Sequence, residues 1–303
     1  MTNLEHTPVM ETEVIEFLSA NKGTNFLDCT FGGGGHSKLI LSATESNNLW
    51  AVDQDPDLYT RAVELNKEYG DRFHFSQINF QNIDSLGMTF DGILFDLGIS
   101  SFQIDSQTRG FSFRFHSKLD MRMDNSQGIT AHEFLEKASK EELTQAVRDY
   151  GEERFWKRVV SAIAKQRGTD VLLYADSFAD MLKKTIPHLP YTRIHPATKT
   201  FQGIRIAIND ELNSLKMAIE KAFDLLNDHG RLVVISFHSL EDRIVKNFFK
   251  KISDQILANN DNRDPGAKLL TKKPMVPSEK EQKNNPRSRS AKLRAIEKFN
   301  YGK

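Results

Sequence analysis

Four consecutive glycines follow directly on an apolar strand end in Phe26-Leu27-Asp28-Cys29-Thr30-Phe31-Gly32-Gly33-Gly34-Gly35-His36. Such a run does not belong inside a regular helix or strand, so the chain must bend there. A second apolar segment then closes on another acid, in Leu49-Trp50-Ala51-Val52-Asp53. Strand, glycine bend, helix, strand and acid make the layout of a nucleotide pocket in an open α/β sheet. The glycines admit a close backbone approach, and the second acid takes a ribose hydroxyl pair. Dinucleotide enzymes share this layout, and Asp28 is the discriminating residue. A carboxylate at the loop entrance repels a pyrophosphate but attracts a ligand that carries an ammonium and a sulfonium. S-adenosylmethionine has both charges and an adenosine, so the pattern points to a methyl-donor pocket.

Further strand candidates are Phe26–Thr30, Leu49–Asp53, Phe73–Ile78 and Phe90–Leu97, with helical patterns over 36–45 and 57–69 between them. This alternation predicts βαβ units and a parallel sheet. From about 105 to 195 the periodicity is helical, over 131–139, 140–149, 152–167 and 175–186. Alternation resumes with a long helix over 204–227, a stop at Asp228-His229-Gly230 and a strand Leu232–Phe237. A helix then begins at Ser239, with Asp242 placed for a capping box. The expected architecture is a doubly wound, Rossmann-like α/β sheet formed by 1–104 and 196–303, interrupted by an inserted all-α domain over 105–195. The ends of the insert are expected at the carboxyl edge of the sheet, where the ligands of such folds bind. The stretches Asn259–Pro265 and Lys272–Asn285 read as loops.

The 41 basic and 41 acidic side chains leave a formal charge of zero, which permits a local basic patch but no whole-molecule grip on nucleic acid. The C-terminal stretch is locally basic. It holds Lys268, Lys272, Lys273, Lys280, Lys283, Arg287, Arg289, Lys292, Arg294, Lys298 and Lys303 against Glu279, Glu281 and Glu297. It reads either as a solvated surface or as a phosphate contact. Apolar runs such as Leu232-Val233-Val234-Ile235 fall far short of the roughly 18 residues of a membrane span. No basic start with an apolar block marks a signal peptide. The single cysteine, Cys29, has no internal disulfide partner, and a cytoplasmic chain is expected. The acids and histidines show no tight metal-ligand spacing, so no metal site is expected.

The fourth strand ends in Asp96-Leu97-Gly98-Ile99-Ser100-Ser101-Phe102-Gln103. Enzymes that methylate exocyclic amines often carry an acid or amide, two prolines and an aromatic at this place, to hold the amine hydrogens. Here the acid leads, but glycine and serine replace the prolines. A plain strand-ending turn is the competing reading. Asp96, Ser100 and Ser101 are candidate proton acceptors by position. Downstream, Arg109-Gly110-Phe111-Ser112-Phe113-Arg114-Phe115 interleaves aromatics with arginines. That pattern suits base stacking and phosphate contact, or else an edge strand whose alternate phenylalanines enter the core.

With these segments in view, the chain resembles the RsmH (MraW) family of S-adenosylmethionine-dependent methyltransferases. That family acts on the N4 amine of a cytosine in the decoding centre of 16S ribosomal RNA. Matching segments run from end to end: His6–Met10, the glycine loop through Ser37, Asp53–Pro56, Gly92–Gly98 and Arg109–Phe113. They continue through Leu119–Asp124, Tyr150–Glu153, His195–Gln202, Ile235–Val245 and Asn285–Arg287. The resemblance implies a class I methyltransferase sheet, with the insert shaping the RNA-binding face. Position by position, it implies donor contacts from Gly34, Gly35, His36, Asp53, Phe80, Asp96 and Gln103. Its substrate would be 16S rRNA within the small subunit or an assembly intermediate. The sequence is silent on oligomeric state.

His195–Gln202, which includes Lys199 and Phe201, lies at the insert's return to the sheet and is assigned to RNA, with a hinge linker as the alternative. Arg109, Phe111 and Phe113 would hold an unstacked base. His238, in Ser236-Phe237-His238-Ser239, reads as a crevice residue or a helix start. Carbon-5 methylation of cytosine needs a thiolate nucleophile, and Cys29, beneath the donor, is poorly placed for it. Nitrogen methylation needs only alignment and removal of a proton. The other classes consistent with the layout are a nicotinamide oxidoreductase, a DNA amine methyltransferase and a non-catalytic ribosome-binding factor. Retention of Asp28, Asp53 and Asp96 opposes the last.

Overall fold

The computed structural model describes residues 8–187, 194–258 and 265–300. His6, Thr7, Lys303 and residues 259–264 of the expected loop lie outside the described residues. The first stretch comprises α1 (Glu11–Leu18), β1 (Asn25–Asp28), α2 (Gly35–Ala43), β2 (Asn48–Asp53), α3 (Tyr59–Tyr69), β3 (Phe73–Gln77) and β4 (Phe90–Asp96). Six helices follow: α4 (Ser101–Asp105), α5 (Ala131–Lys137), α6 (Lys140–Thr144), α7 (Trp156–Gln166), α8 (Ala175–Thr185) and α9 (Ala197–Asn209). The chain then forms α10 (Glu211–Asp224), β5 (Leu226–Ser236), α11 (Ser239–Ala258), β6 (Pro265–Leu269), α12 (Glu279–Asn284) and β7 (Lys292–Asn300).

The sheet order is β3-β2-β1-β4-β5-β7-β6, with β1 to β5 parallel and β7 antiparallel to both of its neighbours. The 3-2-1-4-5 portion is the doubly wound arrangement that the alternating pattern predicts. Strand side chains alternate between two apolar cores. Phe26, Leu94, Val233 and Ile235 enter one, while Leu27, Ile93, Phe95, Leu232 and Val234 enter the other. Because both faces are covered, these strands are apolar at nearly every position instead of at alternate ones.

The chain divides into two compact units, one of 1–98 with 212–303 and one of 99–211. These limits differ from the 105–195 expected for the insert, because Phe201 and Ile204 of α9 belong to the helical unit's own core. Within that unit, Thr130 and Ser139 each form a reciprocal capping box, with Glu133 and Glu142. The expected helix over 140–149 is α6 followed by a π-helical turn, Gln145–Tyr150. Gly203 of α9 packs against this turn so closely that a β-carbon there would collide with the Ala146 carbonyl.

Further expectations are corrected. The helix over 204–227 is two helices, because Asp210 adopts φ +48° and breaks the run. Asn209 braces the break by accepting from the Met123 amide and donating to the Met121 carbonyl. Arg205 spans it with a bidentate pair to Glu211, both contacts 2.8 Å. At the start of α11, Glu241 and not Asp242 accepts from the Phe237 and His238 amides, while Asp242 pairs with Arg294. Lys272–Asn285 contains α12, started by Ser278, whose hydroxyl accepts from the Glu281 amide. The basic tail is not uniformly solvated either. Lys298 is buried and donates to the carbonyls of Phe223, Asp224 and Leu226, collecting acceptors at the end of α10. None of the helices among the described residues is long and apolar enough to cross a membrane.

Candidate active site

β1, β2 and β4 each end in an acid: Asp28, Asp53 and Asp96. Asp28 is in register with Ala51 and Leu94, so Asp53 and Asp96 reach two residues farther along their strands than Asp28 does along β1. The glycine bend leaves β1 between them. The Gly32 amide donates to Asp53 at 2.9 Å, and the Asp55 amide donates to its other oxygen at 3.0 Å. On the other flank, the Thr30 hydroxyl accepts from the Asp96 amide at 2.7 Å.

The three acids differ in character. Asp28 is fully buried, accepting from the Thr30 amide at 3.1 Å and the Ser37 hydroxyl at 2.7 Å. Burial raises its pKa against those hydrogen bonds and the nearby His36. The discriminating acid of the sequence is therefore buried and hydrogen-bonded within the protein. Asp53 keeps some access to solvent, yet the protein around it pushes its pKa from 3.8 to about 6. Desolvation dominates there, with repulsion from Asp55 and Asp28 added to it. Asp96 is more open than Asp28, at 25% exposure against 1%.

His36, in the first turn of α2, is 6% exposed, and its Nε2 lies 3.4 Å from Asp96. At that separation the attraction is coulombic more than a formed hydrogen bond. Burial disfavours the charged imidazole, but Asp96, Asp28 and Glu11 together raise its pKa. Both His36 nitrogens and Asp96 Oδ1 are buried without a hydrogen-bond partner. Such atoms are costly in a finished protein interior, and they are what a polar ligand would satisfy.

The glycines serve the loop in two ways. Gly34 has φ +76°, which a side chain would strain, and a β-carbon on Gly35 would lie 2.6 Å from Pro8 Cγ. The space left open at Gly35 is thus occupied by the N-terminal segment instead of lying open to a ligand. The Met10 amide in turn donates to Glu281 at 2.8 Å. Phe80 starts the turn after β3, capped by Asn79, and packs edge-on against Phe95. Asn79 also donates to Gln54 at 2.7 Å, tying that turn to the end of β2.

The first unit therefore brings together Gly34, Gly35, His36, Asp53, Phe80 and Asp96. His238, also in that unit, sits at the start of α11 with Nε2 3.1 Å from Glu241. The remaining candidates fall in the helical unit. Ser100 caps α4, its hydroxyl accepting from the Gln103 amide while the Gln103 oxygen accepts from the Ser100 amide; Ser101 is the first residue of that helix. Arg109 is buried and donates to the carbonyls of Arg122 and Met123. Phe111 and Phe201 are core residues, and no strand forms over 109–115. Phe113 stacks on His195, with ring centroids 4.5 Å apart, and meets Phe201 edge-on. Lys199 donates to the Glu152 carbonyl. In this conformation Arg109, Phe111 and Phe201 hold the unit together, whereas Phe113 and His195 remain half-buried.

The sequence reading did not single out Pro8, Thr30, Ser37, Gln54 or Asn79 as site residues. Asn79 carried a legible signal, an Asn placed just before a turn. Thr30 and Ser37 looked like ordinary loop residues. Among the described residues, no group of three or more His, Cys, Asp or Glu is placed to hold a metal. Cys29 is fully buried, and burial, with Asp28 adding to it, raises its thiol pKa well above the ordinary value.

Residues 3–299 match the model of the MraW methylase family. Curated relatives named ribosomal RNA small subunit methyltransferase H are similar over nearly their whole length. The one from Trichormus variabilis is 43% identical over 294 residues, covering 97% of this chain and 92% of the relative. That from Rickettsia bellii is 43% identical, covering 97% and 99%, and that from Pelobacter propionicus is 42% identical, covering 99% and 100%. A strand-end acid on either side of a glycine bend, inside a match that spans the chain, places this protein in the MraW methylase family.

Proposed function

We propose that this protein transfers a methyl group from S-adenosylmethionine to the exocyclic N4 amine of a cytosine in the decoding centre of 16S rRNA. It would act in the cytoplasm, on the small ribosomal subunit or an assembly intermediate of it. The observation that carries this reading is the pair Asp53 and Asp96 bracketing the glycine bend, beside buried and unpartnered atoms of His36 and Asp96. Family membership and the full-length relatives support the same reading.

The residues present fit the donor. Asp53 is the acceptor for a ribose hydroxyl pair, and Phe80 offers a ring for an adenine. The field of Asp28 and Asp96 favours a cation, and Gln103 is assigned to the donor as well. When bound, S-adenosylmethionine supplies an already activated methyl group. The protein's task is then alignment of the amine, exclusion of water and acceptance of one proton.

Of the three candidate acceptors, Asp96 is the one we assign. Its Oδ1 lacks a partner, whereas the Ser100 hydroxyl already caps a helix and Ser101 opens it. The buried, protonated Cys29 is unsuited to the covalent route of carbon-5 methylation, and this favours nitrogen as the target. Among the RNA candidates, Phe113 and His195 offer partly open rings, and Lys199 and His238 are assigned to the RNA with them.

The test is mass spectrometry of nucleosides from small-subunit RNA after incubation with protein and donor. N4-methylcytidine is expected. Its absence, or 5-methylcytidine in its place, would overturn the assignment.

A further inference from the structure

The reversed strand β7 has a topological consequence. The ligand crevice of an open α/β sheet lies beyond the carboxyl ends of its parallel strands. β7 runs the other way, so its amino end, and the turn before it, arrive at that same edge. The register makes this concrete: Asp96 pairs with Ile235, and Ile235 pairs with Leu293. Two strand spacings, roughly 10 Å, separate Asp96 from the start of β7.

The turn that arrives there is basic and firmly built. Asn285 accepts from the Arg287 amide, and buried Ser288 donates to the Asn285 carbonyl at 2.8 Å. These contacts fix the backbone of the turn. Arg289 is exposed, and Lys292 is 41% exposed. The neighbouring acid, Asp242, is 2.7 Å from Arg294 and 3.6 Å from Lys292, so it is already largely neutralised by Arg294. Arg289 and Lys292 therefore add positive charge at the edge of the crevice. In a chain of zero net charge, an RNA ligand must be held by such local concentrations.

We propose that Arg287, Arg289 and Lys292 form a phosphate-binding ledge that grips the RNA backbone beside the target base. The ledge rests on the rRNA reading above and adds the surface by which that substrate is held. A preformed turn spares the ordering cost of recruiting long side chains from a loose loop. Backbone contacts of this kind position a strand without reading its sequence.

The test compares the wild-type protein with Arg287→Gln/Arg289→Gln/Lys292→Gln and with the charge-keeping Arg287→Lys/Arg289→Lys. Anisotropy of a labelled small-subunit RNA fragment over a salt series gives the RNA affinity, and calorimetry gives the donor affinity. Each lost phosphate contact flattens the salt slope by about 0.7, so the triple variant should lose about 2. Its RNA dissociation constant should rise about tenfold at low salt, with donor binding unchanged. The charge-keeping variant should retain the slope, which a purely structural role for the arginines would not predict. Arg289→Gln alone, at an exposed position, should flatten the slope by a single contact without disturbing Asp242. Unchanged slope and KM in variants that still methylate RNA would overturn the ledge alone. A wild-type protein that binds RNA with the ledge-dependent slope but never methylates it would overturn the proposed activity and leave the ledge standing. A ledge that binds inorganic phosphate while RNA affinity stays constant in every variant would also overturn it.

Discussion

The carboxyl edge of the sheet and the helical insert treat buried and capping charge in opposite ways. At the sheet edge, Asp28 and Asp53 are both raised in pKa, first by burial, and Asp28 and Asp96 crowd around a single histidine. In the insert, Glu133 and Glu142 are held below the usual range by hydrogen bonds from Thr130 and Ser139 at helix starts. The insert's buried Arg205 and Glu211 neutralise one another with two matched contacts. Charge in the insert holds helices in place. At the sheet edge it is kept in tension, ready for a partner of opposite sign, as expected where a ligand and not the fold completes the electrostatics.

The largest effect should come from the sheet edge. Asp96→Ala is expected to abolish methyl transfer, and Asp96→Asn to slow single-turnover transfer by roughly 10²- to 10⁴-fold. Unchanged turnover would remove Asp96 from the site. Donor calorimetry on the same variants separates lost binding from lost proton transfer.

In the insert, Arg205→Met strands Glu211 and should cost about 3–5 kcal/mol in urea denaturation. Arg205→Met/Glu211→Leu should recover most of that loss. If the double variant is as unstable as the single one, the pair is not the paired architecture described above.

A smaller effect concerns pH. Asp53 is raised from 3.8 to about 6, so the donor-free fold favours its protonated form. Its contribution to stability is therefore present at low pH and lost as pH rises through about 6. Donor binding runs the other way, because two ribose hydroxyls need the ionised acceptor. The donor dissociation constant should rise roughly tenfold per pH unit below about 6, with proton release on binding. Asp53→Asn should bind weakly and without that slope. A wild-type profile that is flat between pH 4.5 and 7 would dissociate Asp53 from the ribose.

The smallest effect is a cap. Thr130→Ala should cost about 1 kcal/mol of stability and leave the donor affinity alone. A shift in donor affinity would mean that the two regions are coupled more closely than their separate chemistry implies.

Legibility in the sequence follows the same division. The parallel strands were plain because both faces are buried, so β2 and β4 carry the short apolar runs Leu49–Val52 and Ile93–Phe95, each ending in an acid. The glycine bend was plain as well. Other features depended on partners distant in the sequence. The break at Asp210 is braced by backbone groups of Met121 and Met123, and the π-helical turn answers Gly203 on another helix. Lys298 looked like surface charge because nothing nearby in the chain announces the three carbonyls it reaches. The Arg109–Phe115 segment shows the limit most clearly. Alternating aromatics and arginines suit a nucleic-acid surface and an interior equally, and packing decided for Arg109 and Phe111.

The single thiol of the chain lies on the stretch leaving β1, between two flanking parallel strands, with its amide bonded to the Leu94 carbonyl. An alkylating probe cannot reach it while that central pairing holds. Its labelling rate is therefore a built-in clock for opening of the sheet's middle, and a bound donor, by tying the neighbouring strand ends together, should slow that clock.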